Sequence, residues 1–243
     1  MELIVKILKR NVFICLFSCA VWFIACSDNS TSVDDAAEKP VDTFDAAVCP
    51  AEGFNNYNEP NRGTFTDIRD GQVYKYTTIG TQVWMAENLK FDAPYSLCYE
   101  RTEGFCEKFG KFYSLKEDGE SYGFWDQALL DTICPAGWHV PSIEEWNVLI
   151  YNTGGFDYAA LRLRTSDYFG ENFVQGTDDC GFTALPAGAW LLDGSLDLEN
   201  ITPIFWTSTA YDLNIAYAYV ISATTPIYAR FGSPKMSIRC IKD

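Results

Sequence analysis

The clearest periodic pattern in the chain runs from Ser142 to Asn152. Ile143, Trp146, Leu149 and Ile150 fall at helical spacing, which predicts one apolar face of an amphipathic helix. Ser142 is a good N-cap, and Glu145 stands three residues on, which completes a capping box. Gly154 and Gly155 end the helix. Just before it, Pro135 and Gly137 force a turn, and Trp138 to Val140 is extended, since a residue preceding proline avoids the α region. Most other segments read as strands. Phe65 to Ile79 places Asp70 and Gly71 between two β-prone runs, a short hairpin signal. Gly80 and Thr81 then turn into Gln82 to Leu89, so the N-terminal part is a β-meander. Alternation places one of Trp84 and Met85 inward. Phe109 to Ser114 is a further strand, Lys116 to Gly119 a charged loop, and Phe124 to Leu130 a short helix. In the last third, Phe205 to Ala210, Ala216 to Ser222, Pro226 to Phe231 and Ser237 to Lys242 are strands, with Leu191 to Pro203 a loop. Late strands returning on an early meander define an α+β domain.

The first 48 residues have a different pattern. Lys6, Lys9 and Arg10 precede an apolar run from Val12 to Ala25. That run is short for a membrane span and right for the core of a signal segment. Phe23 to Cys26 resembles a bacterial lipobox, with Phe where Leu is usual, so Cys26 is the expected lipidation site. Two or three acyl chains there would attach the protein firmly to a membrane, which a single chain would not. Residues 27–48 are small, polar and acidic, the composition of a flexible tether. The expected organisation is therefore a lipoprotein signal segment over 1–26, a tether over 27–48 and one domain over 49–243, with its core at 64–243.

Composition narrows the function classes. The formal net charge is −15, and so acidic a surface argues against nucleic acid, whose phosphates it would repel. The chain has nine cysteines. With Cys15 and Cys19 in the leader and Cys26 lipidated, Cys49, Cys98, Cys106, Cys134, Cys180 and Cys240 remain. An even number in an exported chain suggests disulfides, and spacing alone leaves their connectivity open. A small staple between Cys98 and Cys106 fits a surface loop. No CxxC pair occurs, and one histidine is too few for a zinc site of the Cys/His type. His139 could serve as a base. With no nucleophile motif nearby it reads as structural, and no catalytic set is identified.

Several blocks resemble the Fibrobacter succinogenes major paralogous domain: Thr66 to Tyr74, Ile79 to Leu89, Cys134 to Ser142 with Glu145 and Trp146, Gly181 to Gly188, Phe205 to Ser208, and Ser237 to Asp243. In order, they cover about residues 64–243. The resemblance implies a C-type-lectin-like fold, also used by formylglycine-generating enzymes, with an antiparallel meander, one main amphipathic helix and disulfides. It implies that Cys134 pairs with Cys240; with Cys98 joined to Cys106, Cys49 and Cys180 are left to each other. The family is typically carried on exported proteins, and the resemblance supplies a fold without an activity.

Lectin-like folds place ligands on the long loop between late strands, here about Ala187 to Pro203. Trp190 could stack on a sugar, while Asp193, Asp197, Glu199 and Asn200 could bind Ca²⁺ through oxygen. The plain alternative is a solvated acidic loop beside a buried tryptophan. Asn58 to Asn61 contains a Glu-Pro-Asn of the kind found in sugar-binding lectins, but it precedes the first strand and reads as coincidence. The expected function is a lipid-anchored, non-enzymatic binding or adhesion module of the bacterial outer membrane or cell surface, for glycans or other envelope components. The alternatives are a structural envelope protein and an oxidoreductase of the formylglycine-generating kind. No cofactor is implied other than Ca²⁺.

Overall fold

The computed structural model divides the chain into two units, Met1–Lys39 and Pro40–Asp243. It describes residues 42, 44–99, 103–114, 127–167, 173–190, 195, 202–211, 216–222, 227–231 and 235–243, all in the second unit. The leader, Cys26, most of the expected tether, the Lys116–Gly119 loop, the first residues of the helix expected from Phe124, and Asp193, Asp197, Glu199 and Asn200 lie outside the described residues.

In chain order the strands begin with β1 (Arg62–Thr66), β2 (Val73–Ile79), β3 (Gln82–Met85) and β4 (Ser96–Leu97). Helix α1 (Phe105–Phe109), β5 (Phe112–Tyr113), α2 (Gln127–Ile133) and β6 (Trp138–His139) follow. Then come α3 (Ile143–Asn152), α4 (Gly155–Leu163), β7 (Ala189–Trp190), β8 (Ile204–Ala210) and β9 (Ala216–Val220). The described part closes with β10 (Ile227–Phe231), β11 (Lys235–Met236) and β12 (Ile241–Lys242). Three antiparallel sheets result: β1-β2-β3-β12-β6, β10-β9-β8 and β4-β5-β11-β7. The domain is α+β, with three disulfides joining Cys49 to Cys180, Cys98 to Cys106 and Cys134 to Cys240.

The five-stranded sheet is covered on both faces, which changes the reading of its alternation. Trp84 and Met85 are both fully buried. Met85 joins a core with Tyr74, Leu130, Ile133, Trp206 and Ile238. Trp84 joins another with Trp146, Leu149, Phe182, Phe205 and Tyr219. Alternate residues point to opposite faces, so in a doubly covered sheet neither side chain of the pair reaches water. In the second core the Trp146 ring stacks on Phe205 and Tyr219 at 5.3 and 5.2 Å and tilts against Trp84 at 4.8 Å.

Several elements differ from the pattern in the sequence. The β1–β2 hairpin exists, but its last pair is Thr66 with Val73, so the connection is wider than a two-residue Asp-Gly turn. Asp67 is the cause: it is buried, accepts from Arg69 Nη2 at 2.6 Å, and its backbone brackets the loop through Gln72 and Gly71. Phe109 ends α1 and does not begin a strand; Gly110, at φ 76°, terminates that helix. The Gly154–Gly155 pair does stop α3, but Gly154 at φ 99° is also the N-cap of α4, a second helix that packs on the first. A left-handed backbone suits glycine, and here it serves a helix–helix corner. Of the expected final strand, Ser237 to Lys242, only Ile241–Lys242 forms β12; β11 lies before its start, and buried Arg239 stands between the two.

The folded domain begins before Cys49. Phe44 and Val48 pack against the second core, Ala46–Val48 forms a 3-10 turn, and Val48 O accepts from Gly80 N at 2.7 Å. Asp42 pairs with Arg162 of α4, whose guanidinium lies 4.0 Å from the Phe44 ring centroid. Two apolar side chains at the end of an otherwise polar stretch account for this docking.

Replacing Cys134 and Cys240 together by alanine should cost about 4–5 kcal/mol, since the closed loop is long. Thermal unfolding should then show a melting temperature lower by roughly 8–20 °C. An unchanged midpoint would mean that this bond does not constrain the domain.

Candidate functional site

The last residues of the chain gather the polar groups of the domain into two clusters. The first surrounds His139. Ser142 Oγ accepts from Glu145 N at 3.2 Å, and Ser142 N donates to Glu145 Oε2 at 2.7 Å, so the predicted capping box is formed. The other oxygen of the same carboxylate, Oε1, is 2.9 Å from His139 Nε2. On the opposite side of the ring, Nδ1 is 2.6 Å from Asp243 Oδ1. β6 aligns His139 with Ile241 of β12, which brings Asp243 to the ring. Both nitrogens therefore face a carboxylate, an arrangement that favours the doubly protonated ring.

The hydrogen bond to Glu145 raises the His139 pKa most; burial opposes it and Asp243 adds to it, giving a value of about 9. Burial pushes the Glu145 carboxyl up, but the bonds from His139 and Ser142 outweigh it and hold it below its ordinary value. At neutral pH His139 is thus an imidazolium with no lone pair to accept a proton, which suits a clamp and does not suit a general base. Beside it, Lys242 Nζ bonds Glu59 Oε1 at 2.5 Å and Tyr57 Oη donates to Asp243 O at 2.5 Å. The Glu-Pro-Asn of residues 59–61 therefore serves this end of the domain: Glu59 pairs with Lys242, and Asn61 is buried and donates to Glu52 O at 2.6 Å.

The second cluster surrounds Arg239, which is fully buried. Its guanidinium donates to the Phe182 and Thr183 carbonyls and to Asn88 Oδ1. It lies 4.4 and 5.1 Å from the ring centroids of Phe182 and Phe205. Burial lowers its pKa to about 9, leaving the group charged at neutral pH. Asp178, near this cation, accepts from Thr183 N and Oγ1, each at 2.7 Å; burial nevertheless raises its carboxyl above the usual range. Sequence reasoning did not single out Arg239, Asn88 or Asp178. An arginine inside an apolar strand-like run, Ser237 to Lys242, was the available signal.

Trp190 is the described member of the expected ligand set. It is half-buried, pairs with Lys235 across β7 and β11, and meets Tyr99 edge-on at 6.0 Å. It packs on a small cluster of Phe105, Phe112 and Ala187. Close by in the chain, Gly188 N donates to Thr202 O at 3.2 Å. The structure does not bring Trp190 together with His139; they belong to different sheets. Among the described residues no group of three or more His, Cys, Asp or Glu side chains could hold a metal ion.

A further feature, not foreseen, lies on the helices. Asn147, Val148, Ile150 and Tyr151 of α3 with Gly155 and Phe156 of α4 line an apolar groove of about 510 Å³. Tyr151 is 82% exposed and Phe156 51%.

These features define a disulfide-locked α+β domain whose final segment joins its sheets, with polar clusters built for architecture. The family described as the Fibrobacter succinogenes major domain matches residues 77–242, and the chain belongs to it. No match was found among curated proteins or among solved structures.

The His139 clamp has a defined pH dependence. A raised folded-state pKa contributes stability that is fully present below the unfolded value near 6.5 and is lost as pH rises through about 9. The lowered Glu145 pKa contributes above about 4.5 and is lost as pH falls through its folded value. Urea unfolding of the protein and of His139→Gln across pH 6–10 should show the difference between them shrinking as pH rises. A constant difference would contradict an imidazolium clamp.

Proposed function

We propose that this is an exported, lipid-anchored protein of the outer membrane or cell surface whose domain is a non-enzymatic binding module. Its ligands would be glycans or other envelope components, and its fold would be C-type-lectin-like. The observation that carries the reading is the closure of all six domain cysteines into disulfides. Such bonds form and persist in oxidising compartments outside the cytosol, which agrees with the signal-like leader and the lipobox ending at Cys26. Two of the three bonds are buried at both ends, so they are poorly placed for the accessible cysteine chemistry of an oxidase. The binding reading is favoured over the formylglycine-generating one on that ground.

For the ligand surface, the hydrogen bond from Gly188 N to Thr202 O brackets the segment that carries the acidic candidates, with Trp190 near its start. Trp190 would supply an apolar ring for a sugar face, and Asp193, Asp197, Glu199 and Asn200 would supply oxygen donors to Ca²⁺. Calorimetry of the exported protein with Ca²⁺ and a panel of plant-wall and envelope glycans tests this. Binding should be saturable for at least one glycan, and Trp190→Ala should weaken it by about tenfold or more, the range of a lost stacking contact. No heat with any of them would leave a structural envelope role as the better reading.

A further inference from the structure

The apolar face of α3 and α4 invites an occupant. α3 already buries Trp146, Leu149 and Ile150, so positions 148 and 151 fall on its solvent side, where polar residues are expected. Val148 and Tyr151 stand there instead, with Phe156 of α4 across the groove. Scattered apolar residues on a surface are ordinary, but a contiguous set around a groove marks an interaction site.

The course of the chain indicates what lies against it. A second hollow of about 300 Å³ shares Tyr151 and Gly155 with the first and is walled by Phe44, Asp45 and Val48. The chain therefore comes into the domain along the rim of this face. Asp42 is fixed there by its ion pair with Arg162 of α4. Fifteen residues separate Cys26 from Asp42, and fully extended they reach at most about 54 Å. An acyl chain on Cys26 would keep the α3–α4 face within that reach of the bilayer, and tethering raises the effective concentration of a surface for even a weak contact.

We propose that this face rests on the bilayer that carries the anchor, with the Tyr151 and Phe156 rings at headgroup depth. Aromatic side chains favour that level because an apolar body and, for tyrosine, a polar tip match the interface. The charge around the groove selects the lipid. Among the described residues no Lys or Arg belongs to either lining. The Arg162 guanidinium beside Phe44 is buried and paired with Asp42, and the exposed ionisable residues beside the hollows include Glu144, Asp157 and Asp45. An electroneutral, zwitterionic surface fits this rim, and an anionic one is repelled by it. The inference rests on lipidation at Cys26, so the test must separate the two.

The experiment is hydroxyl-radical footprinting of the full lipidated protein on phosphatidylcholine vesicles, read by mass spectrometry. Phe54 and Tyr211, at 71% and 47% exposure, are internal references. In water Tyr151 is the more exposed tyrosine and should oxidise faster than Tyr211. On vesicles the order should invert, with Tyr151 and Phe156 protected several-fold while Phe54 and Tyr211 stay reactive. Adding phosphatidylglycerol should reduce that protection. Co-sedimentation with vesicles while Tyr151 remains fully reactive would overturn the docking and leave the anchor standing. Absence of a diacylglyceryl group on Cys26 would overturn the anchor and this inference with it. Protection that appears without vesicles would assign the face to a second copy of the chain, and protection found only with phosphatidylglycerol would overturn the electroneutral assignment.

Discussion

The domain depends on holding its last nine residues in place. Met236 pairs with both β5 and β7 in one sheet, and Ile241 pairs with both β3 and β6 in another. Ser237 O accepts from Trp206 N of β8 at 3.0 Å, which ties in the third. Short two-residue strands have little pairing strength of their own, and a free end of this kind would fray. The Cys134–Cys240 bond removes that freedom by fixing the segment to the end of α2, with the two Cα atoms 6.0 Å apart. The imidazolium of His139 holds the following turn through Asp243, and Arg239 fills the interior between them.

That dependence gives the family blocks a common physical purpose. Asn88, Phe182, Thr183 and Arg239 come from three separate blocks and meet around one guanidinium. His139, Ser142 and Glu145 come from a fourth block and meet Asp243, from the same final block as Arg239, around one ring. A buried cation is costly unless its hydrogen bonds are made, so Arg239 requires the carbonyls of the Phe182 turn to be where they are. The blocks are widely spaced in the chain because they belong to different strands and turns that converge on the final segment. These clusters build the frame, and among the described residues the Trp190 rim and the groove across α3 and α4 lie outside them.

The helix from Ser142 was legible because its cap, its start and its buried face are all written locally. So were the meander, from turn residues and β-prone runs, and the α+β class. What was not legible depended on partners far along the chain. The period of two in β3 says that Trp84 and Met85 point opposite ways, but only a second layer tells that both are buried. Gly154 and Gly155 read as a stop because a local pattern cannot show that the same corner starts another helix. His139 sat six residues from Glu145, within reach, yet its second carboxylate, Asp243, lies 104 positions further along the chain. For the candidate ligand residues, a tryptophan near acidic side chains has the same local pattern in a binding loop and in a solvated one.

Peptide mapping of the protein isolated from its native cell under non-reducing conditions, with the mass of the Cys26 peptide read in the same run, tests the account most directly. The expected result is three cross-linked peptides, joining Cys49 to Cys180, Cys98 to Cys106 and Cys134 to Cys240, together with a diacylglyceryl mass on Cys26. Free thiols at Cys134 or Cys240, or either one joined to another partner, would contradict a domain organised around a locked final segment.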